Sequence, residues 1–288
     1  MWARTESSDS HSRVTSTEPP IWSHLCRWNE LATLDRVTAD ARAELDLRPG
    51  WTRQWTATWV YNREKVTVPV SGLTSMPARG CVPVRGFTFS PEQRHRPGTE
   101  VLVSTVRQHG YESQEERMLL RALDFAGGLR EVQSQPFSLC FSTAAGSSGH
   151  IPDYLAYTDT GLTLIDVRPS RLIREDDRIK FAAAAEVALV MGWRYLVVGG
   201  WQRFVVDTLD ELFARRRPMK DPMGMQDQVL AQLGPGPRRF DEIIEATSVP
   251  AIARTHLSHL IWWRRAVIDL SRPLGDSCLV WAPRPGSW

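Results

Sequence analysis

The 288-residue sequence predicts an α/β fold with a C-terminal winged-helix-like domain, and three observations carry that expectation. Between Glu112 and Val198 the apolar pattern switches between helical and strand periods, in the order helix, strand, hairpin, helix, strand. After Leu209 come further helical segments and then two short apolar runs around a Pro-Leu-Gly-Asp turn. Ahead of residue 100, tryptophans and valines alternate with polar residues. The expected division is a mostly disordered or helical tail (1–48), a β-rich extension packed on the core (49–100), the α/β core (101–210) and the winged-helix-like domain (211–288).

The first twenty residues are polar and poor in large apolar groups, which predicts disorder. Ile21–Leu47 is expected to contain a helix, broken by Pro49-Gly50. Trp51–Val70 reads as a strand pair with a turn near Asn62–Glu64. Trp55, Trp59 and Tyr61 are expected in the core, with base stacking as the alternative. Val82–Gly98 is rich in Arg and Pro and reads as a loop, whose Arg94, His95 and Arg96 face either DNA or solvent.

Glu112–Asp124 has helical spacing, with Ser113 and Glu116 placed as a capping box and Gly127-Gly128 as the stop. Leu129–Phe141 reads as one strand carrying Gln133, Gln135 and Pro136. Ile151–Tyr157 and Leu162–Val167 flank the turn Asp159-Thr160-Gly161 and form a hairpin. Strand side chains alternate, so Asp166 and Arg168 share a face, and the fold-back brings Asp153 beside them. Two carboxylates and a cation at the end of a buried hairpin are costly unless a metal or an anion compensates them. Asp177–Met191 is an alanine-rich helix ended by Gly192, and Tyr195–Val198 is a buried strand.

These pieces together resemble the PD-(D/E)XK nuclease superfamily, and more narrowly the TnsA-like endonuclease subunits of heteromeric bacterial transposases. The matching residues are Tyr111-Glu112-Ser113 through Glu116, Gln135-Pro136-Phe137, Pro152-Asp153 and Asp166-Val167-Arg168-Pro169, within a resemblance spanning roughly residues 80 to 275. It implies a restriction-endonuclease-like core, a mixed sheet flanked by helices. It also implies hydrolysis of one DNA strand at each transposon end, while an integrase-type partner transposase cuts and joins the other. Glu116, Asp153 and Asp166 would hold Mg²⁺, with Mn²⁺ as its substitute, because Mg²⁺ takes a few carboxylates plus water and phosphate oxygens. Arg168 stands where the superfamily has lysine. Arginine retains the charge that stabilises phosphate but cannot lose its proton. Three outcomes stay open: Arg168 acts in place of lysine, Lys180 reaches in from the next helix, or the nuclease is weakened or dead.

Plainer roles compete with these. Asp166 and Arg168 could form a structural salt bridge, Glu116 could be one of several surface glutamates on its helix, Lys180 an exposed lysine, and Gln135 a structural hydrogen-bonding group. Two other functions also remain: a solitary restriction or repair nuclease, and a catalytically silent scaffold that binds DNA and transposase.

The net charge of +2 gives no global field for nucleic acid, although Arg215–Pro273 holds ten Lys or Arg against six Asp or Glu. Four scattered cysteines without a C-x-x-C pair suggest neither a zinc knuckle nor a disulfide framework. No apolar run approaches bilayer length and no apolar signal core opens the chain, so the expectation is no membrane and cytoplasmic residence. In the tail, Leu209–Arg217, Gln226–Leu233, Phe240–Thr247 and Pro250–Arg265 read as helices, and Ile268–Leu270 with Cys278–Trp281 as a strand pair. The last of these helices is the expected recognition helix, exposing Arg254, His256 and His259 to DNA or, equally, docking the partner protein.

Overall fold

The structure, a computed structural model, describes residues 19–75, 80–86 and 97–283. Arg94, His95 and Arg96 lie outside the described residues, as does the stretch 1–18.

Within Ile21–Leu47 the chain forms a 3-10 turn (Trp28–Glu30), a short strand β1 (Ala32–Asp35) and the expected helix as a short α1 (Ala39–Ala43). Thr38 caps α1, its Oγ1 accepting from the Ala41 amide at 3.3 Å. A turn α2 (Trp51–Gln54) then leads into the hairpin β2 (Thr56–Tyr61) and β3 (Glu64–Pro69). Asn62 and Arg63 both take positive φ, +50° and +68°, as a tight two-residue hairpin turn requires. Trp55 and Trp59 are buried, as expected of core residues, and Tyr61 is half-buried.

Next come β4 (Cys81–Val82), the hairpin β5 (Gly98–Leu102) and β6 (Arg107–Tyr111), and α3 (Gln114–Ala126). Ser113 Oγ accepts from the Glu116 amide at 3.1 Å, and Glu116 Oε2 accepts from the Glu112 amide at 2.8 Å, so the cap forms where the sequence placed it. Arg117 and Arg121 of α3 converge on the buried Glu100 of β5 at 2.8 and 2.9 Å, which pins the hairpin to the helix. At the other end of α3, the Arg264 guanidinium donates to the carbonyls of Phe125 and Ala126, and also to those of His24 and Cys26.

Leu129–Phe141 is not one strand. β7 (Leu129–Ser134) ends at Gln135, whose φ of +47° turns the chain, and Pro136 has no amide to continue the ladder. The chain resumes as β8 (Ser138–Thr143) in a different sheet, followed by β9 (Gly146–His150), β10 (Tyr154–Thr158) and β11 (Gly161–Val167). α4 (Glu175–Met191), closed by a left-handed Gly192, precedes β12 (Arg194–Trp201).

The central sheet has the order β1-β12-β11-β10-β7; it is mixed, with β11 and β12 parallel and the other neighbours antiparallel. A second sheet runs β3-β2-β8-β9, with β4 also on β2. On one face of the central sheet, α3 packs Leu119, Leu120 and Leu123 into a cluster with Tyr154, Ile165 and Val167. On the other, Ala182–Ala184 and Val187 of α4 join Leu155, Leu164 and the aromatic side chains of the second sheet. The result is a mixed α/β fold whose sheet is flanked by helices.

The rest of the chain is α5 (Val205–Phe213), α6 (Met225–Ala231), β13 (Arg238–Arg239), α7 (Phe240–Glu245), α8 (Pro250–Trp262) and β14 (Leu279–Val280). The apolar cluster on the α3 face continues without a break into these helices. The expected pairing of Ile268–Leu270 with Cys278–Trp281 is largely replaced. β14 pairs with β13, Val267 alone bridges Trp281, and Ile268 and Leu270 exchange backbone hydrogen bonds with Ser23 and Ile21. Among the described residues, no helix is long and apolar enough to cross a membrane.

The expected exposure of His256 and His259 is also corrected. Both are buried, because α5, α6 and α7 all pack on α8 and cover it from His256 to Trp262. His259 Nδ1 donates to the Arg215 carbonyl at 2.7 Å. Burial holds its pKa below the usual imidazole value, and the neighbouring His256 and Arg265 push the same way against that hydrogen bond. A depressed pKa means that the unfolded chain takes up the proton first. The stability gained from neutral His259 is therefore present above about pH 6.5 and is lost as pH falls through the folded value. His259→Asn, which keeps a donor for Arg215, is expected to flatten the fall in melting temperature between about pH 7 and 5. Melting curves of both proteins across that range check it; parallel curves would refute it.

Candidate active site: a buried carboxylate cluster

The four residues singled out by sequence lie around one end of the β10–β11 hairpin. Glu116 comes from the first turn of α3 on one face, Asp153 immediately precedes β10, Asp166 is the penultimate residue of β11, and Arg168 follows it. The kink at Gln135 serves this arrangement directly, since its amide donates to the Asp153 carbonyl at 2.6 Å.

Asp153 is the centre of the group. Its Oδ2 accepts from the Val167 amide at 2.7 Å, while Oδ1 accepts no hydrogen bond among the described residues. Although Asp153 keeps partial solvent access, burial drives its carboxyl well above the ordinary range. The charges of Asp166 and then Glu116 drive it further, against the Val167 amide. Glu116 is raised too, chiefly by burial, which outweighs the Glu112 amide and Ser113. Tyr154 OH donates to the Gly110 carbonyl at 2.8 Å and lies 3.4 Å from Glu116 Oε2.

Asp166 is only 1 % exposed and differently held. Tyr195 OH donates to its Oδ2 at 2.6 Å, and His150 Nε2 stands 3.0 Å from both of its oxygens. Neither partner was anticipated from sequence. His150 stands just before the expected hairpin and Tyr195 opens the expected buried strand; only the parallel pairing of β11 with β12 and the return of β9 to the site expose their role.

Arg168 is partly exposed, and its Nε lies 3.5 Å from Asp177 Oδ2 in the first turn of α4. Nε makes no hydrogen bond among the described residues, although its own surface is buried. No Asp166–Arg168 salt bridge forms; the partner of Arg168 is Asp177. Lys180 sits half-buried one turn further along α4.

The donors suit the Mg²⁺ implied by the resemblance: three carboxylates, one with an oxygen unclaimed, whose mutual repulsion a divalent cation would relieve. Among the described residues, no three His, Cys, Asp or Glu side chains already stand together as a ligand set. Asp166 and Glu116 accept hydrogen bonds from protein donors.

No family model matches this chain, and no curated protein shows significant similarity to it.

Proposed function

We propose that the chain is the endonuclease subunit of a heteromeric DNA transposase, a TnsA-like member of the PD-(D/E)XK superfamily that hydrolyses phosphodiester bonds at transposon ends. The observation that carries this reading is Asp153: a carboxylate destabilised as an anion by burial and by Asp166 and Glu116, with one oxygen to which no described residue donates. A purely structural cluster would have no need of that arrangement, because replacing one member with a neutral residue would remove the repulsion.

Glu116, Asp153 and Asp166 would hold Mg²⁺ or Mn²⁺. When bound, the ion lowers the pKa of a coordinated water and polarises the scissile phosphate. Arg168, whose side chain is partly exposed, would offer its guanidinium to the charge that builds on the phosphate oxygens. Double-stranded DNA is the substrate, and an integrase-type transposase is the partner that selects the ends. The C-terminal helices with β13–β14 are read as the winged-helix-like domain. Since α8 is buried over most of its length, Ala251, Ile252 and Arg254 near its start, with Trp263 just past its end, are what remains exposed for DNA or for that partner. Arg254 is already paired with Asp276 at 2.5 Å.

Supercoiled-plasmid nicking tests the proposal, with Mg²⁺ or Mn²⁺, alone and with an added integrase-type transposase. Metal-dependent nicking that disappears in Asp166→Ala is the expected result. A folded protein that binds DNA and never nicks would instead support the scaffold reading, which the engagement of Asp166 and Arg168 by other residues favours.

A further inference from the structure

We propose that His150 and Tyr195 are positioning residues that fix the Asp166 carboxylate as a metal ligand, so that the second sheet supplies part of the site. The inference rests on the endonuclease reading above and adds to it two residues outside the carboxylate motifs.

An ionised aspartate only accepts hydrogen bonds, so both partners must donate to it. Tyr195 OH does so at 2.6 Å, within the range of charge-assisted O–H···O⁻ bonds, and His150 Nε2 spans both oxygens at 3.0 Å. Two donors on one carboxylate fix its rotation as well as its position. Each is itself held. Tyr195 lies on β12, alongside Leu164 in the parallel register, and therefore on the same face as Asp166. His150 ends β9, is paired with Leu139 of β8, and meets the Phe181 ring of α4 edge-on at 6.2 Å. The chain leaves the central sheet at Gln135 and returns at Asp153. That excursion through the second sheet carries the imidazole to the site.

Outer residues that hydrogen-bond a ligating carboxylate tune its affinity, and their loss costs about 10- to 100-fold in metal binding. The experiment is calorimetric titration of the full chain with Mn²⁺ alone, on wild type, Tyr195→Phe, His150→Ala and His150→Gln. Metal-free melting of each protein shows that it is folded. Tyr195→Phe and His150→Ala are expected to weaken Mn²⁺ binding by about 10- to 100-fold. His150→Gln, which keeps an N–H donor, should recover part of that loss. In nicking assays, the Mn²⁺ concentration for half-maximal rate should rise in parallel, with the rate recovering at saturating metal; a mere packing role would not produce that pattern. Unchanged Mn²⁺ affinity in folded Tyr195→Phe and His150→Ala overturns the positioning role, while a nicking wild type leaves the endonuclease intact. A wild type that binds no Mn²⁺ and does not nick overturns the endonuclease reading itself, and this inference with it.

Discussion

Asp153→Asn is expected to lower metal-dependent nicking by on the order of 10³-fold, the equivalent of the several kcal/mol that a bound metal supplies, and at the same time to make the metal-free protein more stable. The two effects have one cause. The Asp153 carboxyl is pushed up by burial, by Asp166 and by Glu116, so its ionised form is a burden on the fold at neutral pH. A group whose folded pKa is raised contributes stability that is complete below its unfolded value, near pH 3.9 by the usual aspartate reference, and that is lost as pH rises through the folded value. Asparagine does not titrate, and its carbonyl can still accept from the Val167 amide. The variant should therefore melt above wild type by a margin that opens as pH rises. Mn²⁺ should close that margin from the other side, because an ion that binds only the folded state stabilises it by mass action. Melting curves with and without Mn²⁺, set beside nicking rates, read out both arms. A variant that nicks like wild type, or one that melts below it at every pH, would remove Asp153 from the site.

The sequence shows the site's frame more clearly than its inner contacts, and the reasons are physical. The cap of α3 is local: Ser113 and Glu116 are three residues apart, and their reciprocal bonds formed as that spacing requires. The β10–β11 hairpin is local as well, its two runs joined by a turn of Asp, Thr and Gly. What could not be read there depends on partners distant along the chain. His150 reaches Asp166 only because Gln135 breaks the strand and sends β8 and β9 into a second sheet. Tyr195 reaches it only because β11 and β12 run parallel around α4. The same limit explains His256 and His259. A helix with mixed polar and apolar residues looks amphipathic until three other helices close over it. Ile268–Leu270 has strand character, but its partner is the N-terminal segment some 245 residues away, as in the Ile268 amide bond to Ser23 Oγ.

Arg168→Ala is expected to cost about 10²- to 10³-fold in nicking rate, the usual loss when one charge-stabilising group is taken from a phosphoryl or acyl centre, whereas Lys180→Ala should change it little. Position decides between the two cations. Arg168 directly follows Asp166 and Val167 on β11, its amide is fixed to the Val198 carbonyl at 2.9 Å, and Val167 donates to Asp153, so its backbone cannot drift from the carboxylates. Lys180 belongs to the next turn of α4 beyond Asp177, and among the described residues no hydrogen bond or ion pair joins it to the carboxylates. Among the described residues the Arg168 guanidinium is paired with Asp177 alone, at 3.5 Å and with a partly exposed side chain, an interaction weak enough for a phosphate to replace. Arg168→Lys should keep much of the activity, since it preserves the charge while giving up the planar fork. Single-turnover nicking by the three variants at saturating metal separates the cases. Equal losses in Arg168→Ala and Lys180→Ala would mean that the helix lysine shares the role. A full-rate Arg168→Ala beside a dead Lys180→Ala would transfer that role to the lysine.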